Sequence, residues 1–124
     1  MTTDYTDTQM TQAEIIDVLH ARAIDDLARA ISHLRLHGKA RASARSELLA
    51  SFRAESGNAR ALLYQLSKSV NRDTEAGRDL GKLYERLVRW LDSAREKTNT
   101  RTIIKTQGVL RRLRSTWAKL AVQR

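Results

Sequence analysis

The sequence predicts an all-α protein: an antiparallel up-down four-helix bundle with a flexible N-terminal arm. Three observations carry this. The 124 residues contain no proline and only 5 glycines, so little interrupts a helix or supplies the sharp turns of a sandwich or barrel. Four segments repeat apolar residues at steps of three and four, the period of one helical face, and none alternates with period two for long. Hydrophobic residues form 41% of the chain and charged residues 30%, a globular balance that fits one domain at this length.

Residues 1–10 are polar and threonine-rich, with one aromatic, Tyr5; they read as the arm, and 11–124 as the bundle domain. Thr11 stands three residues before Glu14, the spacing of a capping box. The stripe Ile16, Leu19, Ala23, Leu27, Ala30/Ile31, Leu34 then predicts a helix over 12–36, closed by His37 and Gly38. A second stripe runs Leu48/Leu49, Phe52, Ala59, Leu62/Leu63, Leu66, Val70. Its gap at Glu55, Ser56, Gly57 and Asn58 is either a kink or a short break, and one helix over 42–69 is the favoured reading. The third stripe is Leu80, Leu83/Tyr84, Leu87/Val88, Leu91, Ala94, with Glu75 and Asp79 near its start, where acids favour the helix dipole. Thr98, Asn99 and Thr100 break the pattern, and a fourth stripe follows: Ile103, Thr106, Leu110, Leu113, Trp117, Leu120. Short connections between long helices favour antiparallel neighbours.

Composition excludes several functions. Without cysteine there is no disulfide, thiolate chemistry or cysteine-ligated zinc. No apolar run approaches the roughly 20 residues of a membrane span, so no membrane insertion is expected, and the opening with Asp4 and Asp7 is unlike a secretory signal. A cytoplasmic location is expected. There is no glycine-rich phosphate loop or His/acid constellation, and the acids fall on polar faces, so the chain reads as a non-enzyme without cofactor. His33 and His37 stand four apart but lack acids at ligand spacing, and read as surface histidines rather than a metal site. Gly77 and Gly81 form a Gly-x-x-x-Gly pair that reads as incidental. Asp17, Asp25 and Asp26 are expected to pair with the basic fourth helix.

The net charge is +9, and after Glu96 there is no acid at all. A basic helical nucleic-acid-binding protein is therefore an alternative. Against it, the bases of the last segment surround the helix, and aromatics make up only 5%, few for stacking.

The run from Asp73 through Leu80, Leu83 and Tyr84 resembles the FliS family, the flagellin-specific export chaperones of bacteria. That family's helix follows an acidic-glycine lead, carries Leu-x-x-Leu-Tyr, then places Leu seven residues on and Ala three further; here these are Leu91 and Ala94. Its last helix closes on Leu and a Trp seven residues later, like Leu110 and Trp117. Residues Thr11 to Leu19 resemble the family's Ser/Thr-Pro-x-x-Leu-Val-x-Met-Leu opening, and Tyr5 resembles the tyrosine of its arm. The resemblance covers roughly residues 5–36 and 70–120. The chain departs from it at Gln12, at His20-Ala21-Arg22 where Tyr-Asp-Gly is usual, and at Arg95.

The resemblance implies a chaperone that holds the disordered C-terminal segment of flagellin in the cytoplasm. It lays the segment as helices into outer apolar grooves and delivers it to the export apparatus. Ile15, Val18 and Ile24 lie beside the first stripe, and Tyr64 and Val88 beside theirs, as a second apolar face requires. Leu19 and Tyr84 are expected at the same surface, Tyr84 with its ring inside and its hydroxyl at the rim. Tyr5 is either a loose tail residue or a plug for the empty groove. A monomer or weak dimer is expected. A secretion adaptor with another protein partner is the remaining alternative.

Overall fold

Three of the four helices begin on a side chain that accepts an otherwise free backbone N–H, the usual need of a helix N-terminus. In the computed structural model, which describes residues 11–122 with side chains through Trp117, α1 spans Gln12–His37, α2 Ala42–Ser69, α3 Glu75–Lys97 and α4 Thr100–Val122. The Thr11 hydroxyl accepts from the Glu14 N–H at 3.1 Å and donates to the Glu14 carboxylate at 3.0 Å. Thr74 accepts from the Gly77 N–H, and Asn99 from that of Thr102. α3 stops at Thr98, whose φ of 49° and ψ of 46° are left-handed, a conformation that costs a β-branched residue strain.

The cross-links fix the topology. Asp17 meets Arg114, and the Ile24 carbonyl meets Gln107, across α1 and α4. Ser56 meets Arg95, and Arg60 meets Asp92, across α2 and α3. Tyr84 meets Trp117, and Trp90 lies under Lys105, across α3 and α4. In each case the numbers rise on one helix as they fall on the other, so the neighbours are antiparallel. Each helix packs on its chain neighbours and α4 closes on α1; α1–α3 and α2–α4 are the diagonals. The fold is the expected all-α four-helix bundle. Its core holds Leu27, Phe52, Leu63, Leu66, Leu87, Leu91, Ile103 and Leu110, all fully buried.

Some details differ from the sequence reading. α1 runs one residue further than expected, and Gly38 keeps a right-handed φ of −64°, so no left-handed glycine ends the helix. α2 is unbroken through residues 55–58. Ser56 fills the gap in its stripe, buried between Phe52 and Ala59. Its hydroxyl donates to the Phe52 carbonyl at 2.7 Å and accepts from Arg95 Nε at 3.0 Å. A Cβ on Gly57 would stand 3.1 Å from that guanidinium, so the glycine makes room for it.

The Gly-x-x-x-Gly pair is not incidental. A Cβ on Gly77 would lie 1.7 Å from the Asn71 carbonyl oxygen, and one on Gly81 would lie 2.8 Å from the Arg72 guanidinium. Both glycines receive the α2–α3 turn, which folds back against α3. Arg72 then donates to the Ser67 carbonyl and to Glu85, each at 3.0 Å.

Candidate partner-binding surface

Packing one face of each helix inward leaves shallow grooves between neighbours. Between α2 and α3 lies a groove of about 530 Å³. Val88 sits nearly buried in its lining, Tyr64 stands half exposed, and Lys68 Nζ lies 5.0 Å from the Tyr64 ring centre. Its rim carries the Arg60–Asp92 and Arg72–Glu85 ion pairs. Between α1 and α4 lies a groove of about 480 Å³ that holds Ile24, Arg111 and Ser115. Arg114 crosses it to Asp17 at 2.8 Å. A third groove, about 410 Å³, runs between α1 and α2 past Leu62, Ala61 and the charged Arg22, Asp25, Asp26 and Arg29. Of the three acids expected to pair with α4, Asp17 does so; Asp26 pairs with Arg29 of its own helix instead.

These rims close weakly. The hydrogen bond from Arg114 holds the Asp17 carboxyl below its usual range, and the same contact raises Arg114. Both partners are nonetheless close to half exposed, and such pairs contribute about 0–1 kcal/mol. A peptide that reached the apolar lining would displace them at little cost.

Ile15 and Val18 are exposed at 38% and 39% on the first turns of α1. Both thus face outward beside the buried stripe of this end. Ile24 and Val88, expected beside their stripes, are drawn almost wholly inward at 8% each, because neighbouring helices close over them. Leu19 and Tyr84 stand in the core rather than on the surface: Leu19 is 7% exposed and Tyr84 not at all. Tyr5 lies outside the described residues.

Tyr84 is buried for a specific reason. Its oxygen lies 2.8 Å from His20 Nε2 and accepts from the Trp117 indole N–H at 3.0 Å. The other His20 nitrogen lies 2.8 Å from the Ile16 carbonyl, which can only accept. Nδ1 is therefore the donor, Nε2 the acceptor, and the Tyr84 hydroxyl donates to it. Burial pushes the His20 imidazole below its ordinary range and the Tyr84 hydroxyl up to about 12. The chain of bonds is complete only with a neutral histidine, and it ties α1 to α3 across the bundle and on to α4.

In the sequence His20 stands out only as a departure from the family pattern. The signal was present: Ile16, His20, Ala23 and Leu27 follow steps of four, three and four, so His20 belongs to the inward face. Gln107, whose amide donates to the Ile24 carbonyl at 3.1 Å, was likewise missed beside Thr106. So were Ile104 and Leu36, exposed at 42% and 54%. His33 lies 3.0 Å from Glu55 of α2, a link between helices, and no group of three metal-ligating side chains occurs among the described residues.

A bundle that satisfies its buried polar groups internally and leaves amphipathic grooves outside defines a helical binding protein. The family described as Flagellar protein FliS matches residues 3–124, and the chain belongs to that family. Its members are chaperones rather than enzymes, and they accompany flagellin in export, so the partner is a protein. Comparison with the curated proteins finds no match. No helix among the described residues is long and apolar enough to cross a membrane.

Proposed function

We propose that the chain is a cytoplasmic export chaperone that binds the C-terminal segment of a flagellin, keeps it from polymerising early and passes it to the export apparatus. The observation that carries this reading is the family match over residues 3–124. The surface supports it: Ile15, Val18 and Tyr64 are exposed, and Ile24 and Val88 lie in grooves whose rims are weak ion pairs. A segment disordered alone loses entropy when it is ordered, so apolar contact along several grooves supplies the affinity. Leu19 and Tyr84 act from inside, by holding α1 and α3 in the register that shapes these grooves. The chaperone works as a monomer or weak dimer.

Titration of the chain with flagellin, and with flagellin lacking its C-terminal segment, tests the reading at low and high salt. One-to-one binding that needs the segment and persists in high salt is the expected result. Binding indifferent to the segment would overturn it. Affinity for duplex DNA that collapses with salt would favour the nucleic-acid alternative.

A further inference from the structure

α4 is the one helix without an acid, because Glu96 is the last acid in the sequence. Arg101, Lys105, Arg111 and Arg112 are exposed on it. Among the described residues the bases in ion pairs are Arg29, His33, Arg60, Arg72 and Arg114, so those four bases have no acidic partner there. Charge left unanswered at this density is self-repulsive and favours an oppositely charged partner.

The pattern on that face is more specific than charge. Residues 103, 106, 107 and 110 point inward, and a line on the outer flank runs Arg101, Ile104, Gly108, Arg111 and Ser115 at helical steps of three and four, its far end turning toward α1, where Arg111 and Ser115 line the α1–α4 groove. Ile104 is exposed at 42% in the middle of it. A Cβ added to Gly108 would meet nothing within 4 Å, so the glycine leaves an open notch one turn beyond Ile104. Lys105, on the α3 side, keeps its amine 4.1 Å from the centre of the Trp90 ring. The face is an apolar step and a notch bordered by four cations, about 16 Å long at 1.5 Å per residue.

The geometry points to the outer face of α4 as a docking site for a second protein partner, an acidic amphipathic segment. Its carboxylates meet Arg101, Lys105, Arg111 and Arg112, and an apolar side chain packs over Ile104 into the notch at Gly108. Cations at helical spacing fit carboxylates carried on one face of a helix. A phosphate backbone gains nothing from Ile104 or the notch, so a protein segment is favoured over nucleic acid. The site borders the α1–α4 groove, with which it shares Arg111 and Ser115, but Arg101, Ile104, Lys105 and Arg112 lie outside that groove and the proposal does not rest on what the groove holds.

Chemical-shift mapping on the isotope-labelled full chain tests it, with three probes. The first is a synthetic helical peptide of three or so turns with Glu along one face and a central Leu. The second is the same peptide with Gln for every Glu, and the third is a duplex DNA of matched charge. The expected result is perturbation confined to residues 101–115 by the Glu peptide alone. Affinity should fall about tenfold in Arg101→Glu/Arg112→Glu and about threefold in Ile104→Ser, with Arg101→Lys close to the parent. All these side chains face solvent, so circular dichroism should stay unchanged. Equal binding of DNA, perturbation spread over the whole bundle, or variants that bind like the parent would overturn the assignment.

Discussion

At the scale of single residues, the buried chain from Trp117 through Tyr84 to His20 is the most exacting feature. Tyr84→Phe keeps the ring but strands the Trp117 N–H and the acceptor nitrogen of His20. Stability should fall by about 1–3 kcal/mol, measured by urea denaturation. The same groups set the pH dependence. The His20 imidazole is held below 6.5 in the folded chain, so below about pH 6.5 the unfolded chain binds more protons and stability falls with pH. The Tyr84 hydroxyl titrates near 12 when folded against 10.0 in the unfolded chain. Above pH 10 the unfolded chain therefore loses its proton first, and stability falls again. His20→Gln should flatten the acid limb, and Tyr84→Phe should flatten the alkaline limb. Limbs unchanged in both variants would show that the pair does not govern the titration.

At the scale of elements, two glycines separate propensity from packing. Gly108 lies within α4 with open space where a side chain would go, so Gly108→Ala should stabilise by up to about 1 kcal/mol through helix propensity alone. Gly77 lies against the Asn71 carbonyl, so in Gly77→Ala the turn must move, and overpacking of about 1–3 kcal/mol outweighs the same gain. Thermal melts of the two variants should shift in opposite directions. The contrast also marks what was legible in the sequence. Helices α1 to α4 and their inward stripes follow from apolar spacing, because burial of one face is a period-3.6 property of the local chain. The role of Gly77, the inward turn of Ser56 and the partner of His20 depend on segments distant in sequence. Spacing within one helix carries no information about which atom of another helix lies opposite. For the same reason spacing alone did not separate Ile15 and Val18, which are exposed, from Ile24 and Val88, which lie almost wholly inward.

At the scale of the whole molecule, the bundle divides its labour. Among the described residues the interior leaves no buried polar side-chain atom without a partner, the grooves set a few apolar residues among ion pairs that yield easily, and α4 carries bases with no acid on the same helix. The two surfaces should answer salt differently. Apolar contact in the grooves is little screened, while docking on α4 weakens as the Debye length falls from about 10 Å at 0.1 M to about 3 Å at 1 M salt. The central claim, that the outer apolar residues hold a flagellin segment, is tested most directly by calorimetric titration of that segment into the parent chain and into Val18→Asp/Tyr64→Asp. Both positions are exposed, so the variant should fold and melt like the parent. Its affinity should drop at least about tenfold, while Arg101→Glu/Arg112→Glu binds the segment as the parent does. A Val18→Asp/Tyr64→Asp variant that takes up the segment with undiminished affinity would contradict the account.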